Sequence, residues 1–147
     1  MSAAAATNRV TPSVHSHSVR HSGITVNASI PVGGMEQWRR DAIRKVIGFG
    51  RLTPNWDGHG SEAPTLAERQ TAIDLLLNVP GELLPGPRIV PVSGGGYDFE
   101  WSVGHRELEI SIEPDCHINV LRVEHGMPIE DDPSMDLSAL FDWLASR

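Results

Sequence analysis

Apolar residues along this chain keep a helical spacing in its first half and a strict alternation in its second, and the change divides the sequence into elements. From Met35 to Phe49 the apolar positions Met35, Trp38, Ala42, Val46 and Phe49, flanked by Ile43 and Ile47, recur at three- and four-residue steps, so they fall on one helical stripe. Gly48 and Gly50 mark its end. Pro64, Thr65 and Glu68 announce a second helix, continued by Leu66, Ile73, Leu76 and Leu77. Thr65 and Glu68 have the spacing to cap each other's backbone amides, and Val79-Pro80-Gly81 stops the helix.

After a Pro/Gly-rich link the period becomes two. Ile89 to Val92 predicts a first strand, placed at an edge because Pro91 has no ladder donor. Beyond the turn Ser93-Gly94-Gly95-Gly96, Tyr97, Phe99, Trp101 and Val103 alternate with Asp98, Glu100 and Ser102. Leu108, Ile110 and Ile112 then alternate with Glu107, Glu109, Ser111 and Glu113. A two-residue turn at Gly104-His105 sets Trp101 opposite Leu108 and Phe99 opposite Ile110. Pro114-Asp115-Cys116 reads as a three-residue loop with Cys116 at its left-handed site, leading into a fourth strand from Ile118 to Glu124. That register turns Ile118 and Val120 inward and Leu121 and Val123 to the wet side, so either a bulge corrects the phase or something apolar covers that edge. Asp132-Pro133 starts a last helix carrying Leu137, Leu140, Phe141 and Leu144.

The expected fold is a two-layer α+β domain over residues 35–147: two N-terminal helices packed on a four-stranded antiparallel meander, followed by a C-terminal helix. Residues 1–34 hold no acid and only Arg9 and Arg20 as formal charges. They are expected to form a mostly disordered tail, in which the alternation of Ile24, Val26, Ala28 and Ile30 offers one edge strand over 24–30.

A length of 147 residues, 39% of them hydrophobic, suits one core. The net charge of −7 removes any whole-surface attraction to nucleic acid or anionic lipid, leaving only local contacts. Cys116, as the lone cysteine, excludes an internal disulfide and every Cys-based zinc cluster. No apolar run nears the roughly 20 residues that span a bilayer. A cytoplasmic protein without membrane contact is the expectation.

Special residues are densest in the link between the helices, Asn55-Trp56-Asp57-Gly58-His59-Gly60-Ser61-Glu62. Asp57, His59 and Glu62 are the residue types that bind a divalent ion or act as acid and base. A purely structural account is equally complete: Asn and Asp form turns by bonding their own backbone, Gly58 and Gly60 allow positive φ, and Trp56 anchors the loop in the core. The stretch from Leu52 to Thr65, with Asn55-Trp56-Asp57-Gly58, Gly60 and Ala63-Pro64, resembles a signature of small, largely uncharacterised bacterial proteins. Its companion there is a proline-flanked strand, a Gly-rich turn and a strand ending in Glu-Trp, here Pro87 to Val92, Gly94 to Gly96 and Glu100-Trp101, so that the resemblance spans roughly residues 40 to 125. Where that signature has an aromatic and an alanine, this chain has His59 and Ser61, which weakens His59 as a catalytic base. The resemblance implies a bacterial origin and no activity to transfer.

The alternation also puts Glu100 opposite Glu109 on the outward side of the hairpin, with Asp98, Glu107 and Glu113 near them. Facing carboxylates destabilise a sheet. They read either as a solvated face or as a docking surface for a basic partner. The arginine-bearing first helix offers an internal neutraliser, because residues 35–52 hold five basic and two acidic side chains whereas 53–147 hold five basic and seventeen acidic. Arg39, Arg40, Arg44 and Lys45 on that helix could meet phosphates, but no base-reading motif or aromatic platform accompanies them, and a solvated helix face explains them as well. His15, His17 and His21 resemble a weak chelating tract. No nucleophile elbow is present, and Gly94 to Gly96 precede a strand, without the helix N-terminus that binds phosphate.

The function these features favour is a non-catalytic bacterial protein-binding accessory module, of the kind an antitoxin, an immunity protein or a small complex subunit represents. Its contacts would be Asp98, Glu100, Glu107, Glu109, Leu121 and Val123, its partner a basic protein, and it would use no cofactor or metal. The alternatives are a metal-dependent enzyme built on Asp57, His59 and Glu62 and, more weakly, nucleic-acid binding through the first helix.

Overall fold

The computed structural model describes residues 35–81 and 84–146. The leading segment 1–34, with the edge strand expected over 24–30, lies outside the described residues. The elements are helices α1 (Gln37–Phe49) and α2 (Leu66–Asn78), strands β1 (Arg88–Pro91), β2 (Tyr97–Val103), β3 (Arg106–Ile112), β4 (Ile118–Glu124) and β5 (Met127–Ile129), and helix α3 (Leu137–Ala145). The strands form one antiparallel sheet in the order β1-β2-β3-β4-β5.

Among the described residues the sheet therefore has five strands where the sequence predicts four. The fifth is three residues long and contains Pro128, too short for alternation to register, and it is folded back by His125 and Gly126, with φ of 53° and 77°. Positive φ at both central residues is what a tight two-residue hairpin turn demands. The other pairings follow the sequence: Trp101 faces Leu108 and Phe99 faces Ile110. Pairing from Ile112–Ile118 to Arg106–Glu124 runs without a bulge, so Leu121 and Val123 stay on the outward side. The last helix begins later than expected. Asp136 accepts from the Ala139 amide at 2.9 Å as its N-cap, while Asp132 closes a separate turn onto the Ser134 amide at 3.0 Å.

The inward face carries Tyr97, Phe99 and Trp101 in a row, with successive ring centroids 6.2 and 6.3 Å apart and Phe141 of α3 edge-on to Trp101 at 4.9 Å. All four are buried against Val46, Leu75, Leu76, Leu108, Ile110 and Leu144. The Tyr97 hydroxyl donates to the Val46 carbonyl at 3.0 Å, tying α1 to the sheet, and burial pushes its pKa up to about 12. At the start of α2 the Thr65 side chain accepts from the Glu68 amide at 3.2 Å, and the Glu68 carboxylate accepts from the Thr65 amide at 3.0 Å. That is the reciprocal cap its spacing predicts.

Arg39 departs from the expected solvated helix face, since it is 3% exposed. Its guanidinium donates to the Leu76 carbonyl and to Glu36 Oε1 and lies over the Trp38 ring. Continuation of α2 would pair the Leu76 carbonyl with the amide of residue 80, but residue 80 is proline and has none. Arg39 thus satisfies an orphan acceptor at the C-terminal end of α2.

Candidate functional site

Ladder register fixes which side chains share the outward face. Across β1 to β4 one row reads Arg88, Glu100, Glu109, Leu121, and on its two sides lie Val90, Asp98, Ser111, Asn119 and Ser102, Glu107, Val123 with Pro128 of β5. The three rows stand on the side opposite the buried aromatics, because neighbouring residues of a strand point to opposite faces. Glu100, Ser102, Glu107, Glu109, Leu121 and Val123 line a shallow depression of about 240 Å³. Five of the six expected partner-binding residues are therefore brought together. The sixth, Asp98, lines a neighbouring depression of about 340 Å³ beside Ser93, Gly94 and Ser111.

The acids of this face are unequal. Arg88 Nη1 reaches both oxygens of Glu100, at 3.0 and 2.7 Å. Among the described residues Glu109 has no ion-pair partner, and burial, reinforced by the charges of Asp98 and Glu100, pushes its pKa above the ordinary glutamate value. Beside it Leu121 is 41% exposed. The internal neutraliser is Arg88 of β1. The α1 arginines lie on the other side of the sheet, where Arg40 bonds the Met35 carbonyl at 2.8 Å and Arg44 pairs with Asp41 at 3.0 Å. Arg40, Arg44 and Lys45 are exposed, but the burial of Arg39 breaks up the basic group expected to meet phosphates.

The loop carrying Asp57 is organised around that carboxylate. Oδ1 accepts from the amides of His59 at 2.9 Å and Ser61 at 3.3 Å, and Oδ2 accepts from the hydroxyls of Ser61 at 2.6 Å and Ser93. These bonds, led by the two serine hydroxyls, hold its pKa well below the usual aspartate range. Ser61 Oγ accepts in turn from the Gly94 amide at 2.8 Å, so the loop is stitched to the β1–β2 turn. Asn55, Gly58 and Gly60 take positive φ there. Trp56 lies outside the core that was expected to hold it; it is half-buried and its indole donates to the Glu62 carbonyl at 3.0 Å. His59 and Glu62 are exposed, and the His59 ring sits over its own loop, with Nδ1 at 3.0 Å from the Asp57 carbonyl. With four donors on Asp57, its oxygens are occupied by the fold.

A different constellation went unnoticed in the sequence. Among the described residues, His105, Glu124 and His125 are a group whose ligand atoms all lie within 4.8 Å of one another. Its signal was present as two histidines, each next to a turn glycine, at the ends of neighbouring hairpins. Seeing it required carrying the Arg106–Glu124 pairing one residue further, which sets His105 beside His125. Among the described residues no helix is long and apolar enough to cross a membrane. Comparison of the chain with protein-family models, with curated proteins and with solved structures finds no match.

Proposed function

We propose that this chain is a non-catalytic bacterial protein-binding module, an accessory subunit or an antitoxin- or immunity-like protein, that seats a basic segment of its partner on the outward face of the sheet. The observation that carries this reading is the pairing, in one depression, of Glu109, which has no ion-pair partner among the described residues, and an exposed apolar side chain, Leu121. Facing carboxylates cost a sheet a few tenths of a kcal/mol. An incoming guanidinium or ammonium removes that cost. Covering Leu121 and Val123 adds apolar burial, about 1–2 kcal/mol for the two partly exposed side chains. The surplus of seventeen acids over five bases in residues 53–147 favours encounter with a positively charged partner.

The test is capture from a lysate of the native host, followed by a direct affinity measurement with the purified captured protein. Glu109→Lys and Leu121→Asp are each expected to weaken binding at least about tenfold, and binding to the unaltered chain should fall steeply with salt. Asp131→Lys, an equal charge change at a residue outside the depression, should leave affinity within twofold. Binding of every captured protein that is indifferent to both depression variants overturns the reading.

A further inference from the structure

We infer that the paired hairpin turns at one end of the sheet form a site for a divalent transition-metal ion, Zn²⁺, held by the imidazoles of His105 and His125 and the carboxylate of Glu124. The two rings lie 4.0 Å apart and parallel within 5°, and His105 Nε2 is 3.2 Å from Glu124 Oε2. The spacing is set by backbone as well as by side chains: the His125 amide donates to the His105 carbonyl at 2.9 Å, locking the β2–β3 turn to the β4–β5 turn. His105 and His125 are exposed and Glu124 half-buried, so an ion can enter from solvent.

Glu124 is positioned from behind. Arg106 Nε donates to its Oε2 at 3.1 Å, while Arg106 Nη1 is drawn to the carbonyls of Trp143 at 2.5 Å and Ser146 at 3.0 Å at the end of α3. The guanidinium thus orients the carboxylate through one oxygen, as outer-shell partners of ligating carboxylates do. Oε1 accepts no hydrogen bond among the described residues and is the oxygen available to an ion. Two imidazole nitrogens and one carboxylate oxygen make a set that Zn²⁺ takes readily, with water completing the tetrahedron. Coordination requires the stacked rings to fan apart about their side-chain torsions so that both lone pairs meet at one point, and the exposure of both rings permits that rotation.

The site is independent of the depression around Glu109, and its test is separate. Zn²⁺ is titrated by calorimetry into the full chain, prepared without an affinity tag and with His15, His17 and His21 replaced by alanine to remove the other histidine-rich stretch. One equivalent is expected to bind. His105→Ala and His125→Asn are each expected to weaken it at least about tenfold; asparagine suits the left-handed backbone at residue 125. Nuclear magnetic resonance of the chain with its hairpin histidines intact gives a second readout that needs no folded variant at this site. Zn²⁺ must shift the ring signals of His105 and His125 and leave those of His59 and His117 in place. Absence of saturable binding overturns the site, as does one-equivalent binding that survives the His105→Ala/His125→Asn double change, or ring shifts centred on His59 or His117.

Discussion

Glu109 stands directly across the β2–β3 ladder from Glu100, and among the described residues only Glu100 of the two is paired with a guanidinium, that of Arg88. Glu109→Gln should therefore stabilise the fold at pH 7, by about 0.5 kcal/mol, the size of a relieved like-charge cross-strand pair. The pH dependence has a definite sign. The folded pKa lies above the ordinary 4.5, so the protonated form favours folding, and the penalty grows as pH rises through the folded value and vanishes below 4.5. Urea denaturation should show the variant ahead of the unaltered chain at pH 7 and level with it near pH 3.5. Equal stability at both would mean that the neighbouring charges are screened out.

Asp57 predicts the opposite behaviour. Its folded pKa is held well below the ordinary 3.8 by serine hydroxyls and backbone amides, so its contribution is complete above 3.8 and is lost as pH falls through the folded value. Asp57→Asn should lower the melting temperature at pH 7, and by more than Ser93→Ala, which removes only one of four donors. In acid the difference between Asp57→Asn and the unaltered chain should shrink. An acid-unfolding midpoint that does not move in the variant would remove Asp57 from the determinants of acid stability.

The two helices and the central hairpin were legible in the sequence because each buries one face, and burial imposes a period. The same period put Leu121 and Val123 outward but left a corrective bulge open, and the unbroken pairing of β4 with β3 rules the bulge out. What escaped is what period does not encode. Arg39 sits three residues before Ala42 and seven before Val46, on the apolar stripe itself, yet its charge suggested solvent; its burial follows from a carbonyl left without a donor by Pro80, 41 positions away in sequence. Ser93 is 36 residues from Asp57, and no local pattern links them. The two turn histidines are neighbours because the β3–β4 register that pairs Arg106 with Glu124 carries on into both turns, where the His125 amide bonds the His105 carbonyl, and no local pattern marks two turn residues twenty positions apart as a pair.

Arg39→Met keeps most of the buried stem and removes the donor. The Leu76 carbonyl then has no partner at the end of α2, since residue 80 is proline. A buried acceptor stranded in this way, with a hydrogen bond to a charged group lost, costs about 2 kcal/mol. Arg39→Lys can still reach one acceptor but cannot serve Leu76 and Glu36 as a planar fork does, so an intermediate loss is expected. Chemical denaturation of both variants measures it, and a Met variant within 0.5 kcal/mol of the unaltered chain, a small part of that expected loss, would mean water replaces the guanidinium.

Cys116 follows Asp115 through a turn in which both have left-handed backbone, at φ of 67° and 66°. It is 5% exposed, and burial, with the charges of Glu68 and Asp115 adding to it, pushes the thiol above its ordinary pKa. Two results should follow. Alkylation by iodoacetamide at pH 8 should be at least about tenfold slower in the native chain than in urea, because the thiolate is both scarcer and shielded. On stability, the usual order of small residues should invert. Alanine at residue 116 keeps the left-handed penalty of about 1 kcal/mol, whereas glycine removes it. Both discard the same sulfur, so Cys116→Gly should be more stable than Cys116→Ala by about 1 kcal/mol. If alanine proves the more stable replacement, the left-handed conformation at Cys116 is a minor state in solution and the turn there takes another form.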